Sequence, residues 1–197
     1  MAYGTLTTLN ESSLQFGLIY AGSDDGLIHG TQNGGVSWDL LSSDLPKDLW
    51  VSRITASMHQ KNRVYAALNG YRNDDFTPYL YLSENGGQQW KAIANNLPEA
   101  PVNDIIEDPV KENILYVATD RGVYVSFNKR DTWEAFANGL TSAAVHDLVI
   151  QPEAKHLLVG THGRSIYKAS IAALQDRDST LPLQLFVPKE IKHSDKW

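Results

Sequence analysis

Short apolar runs recur along the chain, and a more polar stretch of similar length precedes each of them. The apolar runs occupy residues 18–23, 63–68, 114–119 and 156–161. They are rich in β-branched and aromatic residues, which is typical of strands buried on both faces. Further strand candidates lie before and after them, at 5–10, 51–56, 102–107 and 145–150, and at 27–30, 79–82, 123–125 and 165–169. The pattern predicts a repeat built from short strands.

One motif, [Ser/Thr]-x-Asn-x-x-x-x-Trp, follows the third strand in three of the repeats, and we call it the Trp box. Its tryptophans are 52 (90−38) and 43 (133−90) residues apart, a period typical of a β-propeller blade. The asparagine can hydrogen-bond its own backbone in a tight turn, and the tryptophan offers a large apolar surface between blades. We interpret the boxes as structural, with sugar stacking on a tryptophan as the alternative. The residues concerned are Asn33, Trp38, Asn85, Trp90, Asn128 and Trp133.

These patterns predict an all-β fold, a β-propeller of about four four-stranded antiparallel blades. The blades are expected at about 5–43, 51–95, 102–138 and 144–169, as part of a larger propeller. Residues 171–197 form a C-terminal segment, in which 181–188 either completes the last blade or lies over it. A single helical turn is predicted at 170–174 and a tail at 189–197.

The Trp boxes resemble the Asp-boxes of the bacterial neuraminidase repeat. Over about 5–190 the blade sequences resemble the sortilin-type propellers of large bacterial proteins labelled as glycosyl hydrolases. The matching stretches include Trp50-Val-Ser-Arg-Ile54, Gly122-Val-Tyr-Val-Ser126 and Gly160-Thr-His-Gly-Arg164. Asparagine replaces the usual aspartate in all three boxes, and Arg130 stands where glycine is expected. The resemblance implies a β-propeller of the kind found in proteins labelled as glycosyl hydrolases.

Composition and charge narrow the function classes. The net charge of the 197 residues is −6 and no basic run occurs, so we expect no nucleic-acid partner and no membrane partner. Cysteine is absent, and the six histidines have no close ligand spacing, so we expect neither a metal site nor a cofactor. The N-terminus lacks the pattern of a signal peptide. We expect a soluble protein of undetermined location, whose parent could be secreted or periplasmic.

Strand alternation assigns the turns of each blade to two faces. The Trp boxes share one face. The turns between the second and third strands and the crossings between blades share the other. That second face collects the side chains best suited to contact a ligand, and the long insertion 70–77 lies there too. The predicted ligand-binding residues are Trp50, Arg53, Tyr71, Arg72, His146, His162 and Arg164.

Aligned inner strands place Thr8, Arg53, Asp104 and Asp147 in one column, with Ser52, Asn103 and His146 beside it. The column either surrounds a ligand or pairs its charges between blades. A glycoside hydrolase needs two carboxylates roughly 5–10 Å apart. The weak candidates for catalysis are Asp104, Asp147, Asp74 and Asp75. The neuraminidase resemblance would instead require an arginine triad, for which Arg53, Arg72 and Arg164 are available.

Three functions follow from these observations. The first is a non-catalytic propeller segment that binds a carbohydrate, a peptide or another domain. The second is a fragment of a glycoside hydrolase whose catalytic carboxylates lie partly outside this chain, and the third is a purely structural half-propeller. Because four blades leave open edges, we also expect either self-association through the terminal blades or closure by residues 181–187.

Overall fold

The computed structural model describes residues 4–128, 132–136 and 143–177. Within these ranges the chain forms four antiparallel sheets, which we number as blades 1 to 4. Blade 1 contains β1 (Leu6–Glu11), β2 (Ile19–Ser23), β3 (Ile28–Thr31) and β4 (Asp39–Leu40). Blade 2 contains β5 (Trp50–Ala56), β6 (Val64–Asn69), β7 (Tyr79–Ser83) and β8 (Lys91–Ala92). Blade 3 contains β9 (Val102–Glu107), β10 (Leu115–Thr119), β11 (Gly122–Ser126) and β12 (Glu134–Ala135). Blade 4 contains β13 (Val145–Gln151), β14 (His156–Thr161) and β15 (Ile166–Ser170), and helix α1 (Ala172–Gln175) follows it.

The strands of each blade pair in chain order, and the first strands of successive blades lie side by side. Strand β1 contacts β5, β5 contacts β9, and β9 contacts β13. The sheets therefore fan out from a row of inner strands, which is the architecture of a partial β-propeller. The predicted fold class is confirmed.

The apolar core is divided into three clusters, each sandwiched between two neighbouring blades. One tyrosine from each of the first three blades is fully buried and points toward the following blade: Tyr20, Tyr65 and Tyr116. Burying a large apolar side chain contributes roughly 1.5–3 kcal/mol. The blades are therefore held together mainly by side chains packed between them.

Glycine enables three of the tight turns that join the second and third strands. Gly26, Gly122 and Gly163 have φ angles of 85°, 120° and 71°, a region that L side chains rarely adopt. The Asp-Gly and His-Gly signals of the sequence predicted such turns. No helix in the described ranges is long and apolar enough to cross a membrane.

The asparagine of each Trp box holds the turn by accepting hydrogen bonds. In blade 2 the Asn85 Oδ1 atom accepts from the Gln89 backbone N–H at 2.9 Å and from the Ser83 hydroxyl at 2.8 Å. The same backbone contact recurs at 3.0 Å for Asn33 and at 3.1 Å for Asn128. The local hydrogen bonding expected from the sequence is present in all three boxes, and Arg130 lies outside the described residues.

Two box tryptophans join their blade to the preceding one. The Trp90 indole N–H donates to the Leu41 carbonyl at 2.7 Å, and that of Trp133 donates to the Ile93 carbonyl at 2.8 Å. Trp38 belongs to the first blade and is 42% exposed. The tryptophans therefore depend on a preceding blade for their partners.

Each fourth strand begins one residue after the box tryptophan and has two residues. These strands are shorter than the predicted blade ranges suggest. The backbone N–H groups of Trp90 and Trp133 donate to Asp44 and Asn96 in the preceding blade, so pairing within the blade starts later. Helix α1 begins at Ala172 and overlaps the helical turn predicted at 170–174, whereas the sequence pattern does not predict the 3₁₀ turn Tyr71–Asn73. The predicted outer strand 181–187, the tail, and the end of the third predicted blade lie outside the described residues.

The box geometry predicts which substitutions the turn tolerates. Asn85→Ala removes the Oδ1 acceptor and leaves the Gln89 N–H without its partner, so we expect a loss of about 1–2 kcal/mol in the free energy of unfolding. Asn85→Asp keeps a carboxylate oxygen in the same place and should cost much less. Urea denaturation of the two variants measures the difference. Equal losses would show that the acceptor does not hold the turn.

Candidate functional site

A pocket of about 460 Å³ opens between blades 2, 3 and 4, on the face opposite the Trp boxes, and we call it the mouth pocket. Its wall comes from the starts of the inner strands and from the turns between second and third strands. Five of the seven predicted ligand-binding residues line it, together with five others. The lining residues are Trp50, Ser52, Asn69, Tyr71, Arg72, Asn103, Asp120, Ala144, His146 and His162.

Trp50 and Arg72 form one wall of the mouth pocket. Trp50 opens strand β5, and the Arg72 guanidinium lies 4.4 Å from the centre of its ring, a cation–π arrangement. The indole nitrogen of Trp50 is buried, yet no hydrogen-bond acceptor reaches it from the residues that the structure describes. An unpaired buried donor costs about 1–3 kcal/mol. Trp50 contributes the face of its ring, covered by Arg72, to this wall.

The insertion that carries Arg72 has a fixed shape. The Asn69 side chain accepts from the Tyr71 backbone N–H at 2.9 Å, and Tyr71 packs edge-on against Phe76 at 6.1 Å. Asp75 accepts from the Tyr79 hydroxyl at 2.7 Å and from the Thr77 backbone N–H at 2.9 Å. Hydrogen bonds from Thr77 and Tyr79 lower the pKa of Asp75. Asp75 thus holds the loop, and neither it nor Asp74 lines the pocket.

A chain of carboxamides forms the floor. The Asn69 amide donates to the Asn103 side-chain oxygen at 2.8 Å, and the Asn103 amide donates at 2.8 Å to Asp120 and to the Val145 carbonyl. These bonds connect blades 2, 3 and 4. We did not predict Asn69 or Asp120 as ligand-binding residues. Asn69 directly follows the apolar run 63–68, and its local sequence carries no signal of this role.

Two histidines from blade 4 complete the rim. The rings of His146 and His162 lie 5.4 Å apart and both side chains are exposed. Arg164, in the same turn as His162, is exposed but does not line the pocket. In the described part of the chain, no three histidine, aspartate or glutamate side chains are grouped so that they could hold a metal ion.

The predicted charged column forms a set of ion pairs between blades. The Arg53 Nε atom lies 2.7 Å from Asp104 Oδ1, and its Nη2 atom contacts Asp147. The other Asp104 oxygen accepts from the Leu148 backbone N–H at 2.8 Å. Asp104 is fully buried, whereas the Asp147 side chain is more than half exposed. This geometry is that of charge pairing, and of the three arginines available for a triad only Arg72 lines the mouth pocket.

Burial raises the pKa of Asp104 to about 6, although the Arg53 charge and the Leu148 N–H both oppose the rise. A carboxyl with such a pKa could donate a proton near neutral pH. Its oxygens, however, are enclosed and face Arg53 and Leu148. A ligand in the mouth pocket therefore cannot reach Asp104.

A second cavity, of about 580 Å³, lies on the Trp-box face between blades 1 and 2. Its lining has five carboxamide side chains, two glycines, three leucines and Tyr20, with Asp39, Ser43 and Lys61 as the other polar groups. The mouth pocket has in addition a pair of imidazoles and a guanidinium over an indole ring. Ligand sites commonly join apolar surface to a few placed polar groups, so the mouth pocket is the stronger candidate.

Comparisons with known proteins identify the fold alone. No protein-family model matches the chain, and no curated protein matches it. Among solved structures, a GH74 enzyme from Niastella koreensis is 14% identical with a TM-score of 0.68, and the match covers 85% of this chain and 29% of that one. The GH74 xyloglucanase from Xanthomonas campestris is 13% identical, with the same TM-score and the same coverage. YCF48 from Cyanidioschyzon merolae is 14% identical with a TM-score of 0.54, over 85% of this chain and 56% of that one.

The chain thus spans less than a third of the length of the two GH74 enzymes. This chain has the fold of a partial β-propeller, which is similar to part of each GH74 structure. The finer resemblance to sortilin-type propellers and Asp-box repeats stays a prediction.

The raised pKa of Asp104 predicts how stability depends on pH. The folded state binds this proton more tightly than the unfolded chain, so the contribution of Asp104 to stability is fully present below about pH 4 and is lost as pH rises through about 6. The free energy of unfolding should fall by roughly 2–3 kcal/mol over that range, relative to Asp104→Asn. Urea denaturation of both proteins at several pH values measures this difference. A flat difference would contradict the prediction.

Proposed function

We propose that this chain is a non-catalytic propeller segment whose mouth pocket binds a carbohydrate. The observation that carries the proposal is the exposed ring of Tyr71 beside the Arg72–Trp50 cation–π pair, in a pocket floored by carboxamides. A sugar ring can lie against this wall while its hydroxyls exchange hydrogen bonds with Asn69 and Asp120. The volume of about 460 Å³ is within the usual range for small-ligand sites.

The chemistry of the wall favours a sugar over an apolar ligand. Tyr71 is exposed at the rim, where its ring can lie against the C–H face of a pyranose while its hydroxyl stays in water. Arg72, His146 and His162 supply further groups that hydrogen-bond hydroxyls. The similarity in fold to a xyloglucanase supports the choice of a plant glucan as the first ligand to test.

Calorimetry with xyloglucan oligosaccharides, and then with a wider panel of glycans, tests the proposal. Tyr71→Ala removes the rim ring and Arg72→Ala removes the cation beside Trp50. We expect each to weaken binding about tenfold, a loss near 1.4 kcal/mol. Arg164→Ala is the matched control for Arg72→Ala, because it removes the same charge from an exposed turn of the same face outside the pocket.

Binding that is unaffected by the two pocket variants would place the sugar elsewhere. A panel without any binding would remove the carbohydrate from the proposal.

The second candidate is a fragment of a glycoside hydrolase, which the similarity to two GH74 enzymes favours. Its chemistry requires two accessible carboxylates. Asp147 is exposed, but the neighbouring Asp104 is enclosed, so this predicted pair offers one accessible carboxylate. We expect incubation with the same glycans to release no reducing ends. Release that Asp147→Asn abolishes would replace the binding proposal with the hydrolase.

A further inference from the structure

The three interfaces between blades repeat the same contacts at the same register positions. Near the start of the inner strands of blades 2, 3 and 4 lie Val51, Val102 and Val145, which are fully buried. Each packs against a small residue of the preceding blade. At the first interface that residue is Gly22, where an added Cβ would lie 2.5 Å from Val51 Cγ1. At the other two, Val102 shares a buried cluster with Ala67, and Val145 shares one with Ala118.

Polar groups beside these valines repeat as well. The carbonyl of each valine accepts a hydrogen bond from the preceding blade: from Thr7 at 2.7 Å, from Ser52 at 2.7 Å and from Asn103 at 2.8 Å. At the first and third interfaces, the backbone N–H three residues after the valine donates to a side chain of the preceding blade. That of Ile54 donates to Thr8 at 3.2 Å, and that of Leu148 donates to Asp104 at 2.8 Å.

Blade 1 carries the receiving half of this interface, and no residue that the structure describes covers it. By register, Leu6 occupies the position of Val51, and Leu9 that of Ile54. Leu6 and Leu9 are 59% and 60% exposed, although Val51 and Ile54 are fully buried. Trp38 also lies on this side, without the carbonyl partner that Trp90 and Trp133 find in the blade before them.

Blade 4 carries the complementary half. Gly160 occupies the position of Gly22, and an added Cβ there would meet only Asp147 of its own blade. His146 stands at the position of Asn103, and Asp147 at that of Asp104. The apolar Val149 and Ile166 are exposed beside them. The two ends of the blade stack therefore match each other as neighbouring blades do.

We propose that two copies of this chain associate head to tail, with blade 4 of each copy packed on blade 1 of the other. Leu6 would then pack against Gly160 of the second copy. The His146 ring would donate to the Leu6 carbonyl, and the free Asp147 oxygen would accept from the Leu9 N–H. Asp104 is the precedent for this arrangement, because it pairs with Arg53 and its Oδ2 atom also accepts from a backbone N–H of the next blade.

Two such contacts related by a two-fold axis close a ring of eight blades (four from each copy), at the upper end of the usual four to eight. A head-to-tail contact that closes in this way leaves no free face. It covers the exposed leucines of blade 1, which a free protein would otherwise present to water. His146 belongs both to the rim of the mouth pocket and to this contact, so the association is tested through Leu6 and Leu9 of blade 1, which do not line the pocket.

Disulfide trapping tests the contact directly, because the chain has no cysteine of its own. We expect Leu6→Cys mixed with Gly160→Cys to give a covalent dimer under mild oxidation. The double variant Ala67→Cys/Val102→Cys is the matched control, since these side chains hold the same register positions inside one chain, share a buried cluster and should cross-link without forming a dimer. A single chain that carries both Leu6→Cys and Gly160→Cys is also oxidised. If it cross-links within itself and stays monomeric, four blades close alone and the proposal is overturned.

Light scattering on the full chain gives the second readout. The unmodified protein should have twice the chain mass, and Leu9→Asp should raise its dissociation constant at least a hundredfold. Val110→Asp is the control, since Val110 is 59% exposed in a turn of blade 3, away from both end faces. A strictly monomeric protein at high concentration would overturn the proposal, as would equal effects of the two variants.

Discussion

A blade of this protein has two apolar faces and cannot bury both by itself. The consequence is visible in the tyrosines at one register position: Tyr20, Tyr65 and Tyr116 are fully buried because another blade covers each of them. Stability in such arrays is approximately a sum of the unit itself and its contacts with its neighbours. The rest of the structure follows from this dependence, including the short fourth strands, whose box tryptophans bond to the blade before them.

The dependence of each blade on its neighbours also explains why charged side chains lie between the inner strands. At the inner column a hydrogen-bonding side chain of one blade meets a backbone N–H of the next: the Thr8 hydroxyl serves between blades 1 and 2, and the buried Asp104 carboxylate between blades 3 and 4. Arg53 compensates the buried charge, and it extends beyond Asp104 to Asp147. The ion pairs thus link three successive blades. The cost of burying Asp104 is reflected in its raised pKa.

The fold could be predicted from the sequence because the repeat consists of residue types that determine local structure. Apolar runs of strand length, glycines at turns and the Asn-to-Trp spacing each specify a local structure that tertiary packing does not override. The assignment of turns to faces also brought Trp50, Arg72 and the two histidines together correctly. Local patterns could not reveal Asn69, because its role depends on Asn103 in the next blade. Nor could they show that Asp104 is enclosed, since enclosure depends on Arg53 and Leu148 from two different blades.

Position in the array, rather than residue type, decides what a side chain can do here. Asn103 and His146 occupy equivalent places, but a following blade engages the Asn103 amide through Val145, while the His146 ring is exposed at the rim of the mouth pocket. Asp104 and Asp147 differ in the same way. The last blade is therefore where groups that elsewhere hold blades together are exposed to a ligand or to another chain. A pocket bordered by such a blade has a rim whose chemistry was set by the requirements of assembly. The presence of two histidines and an aspartate there needs no catalytic explanation.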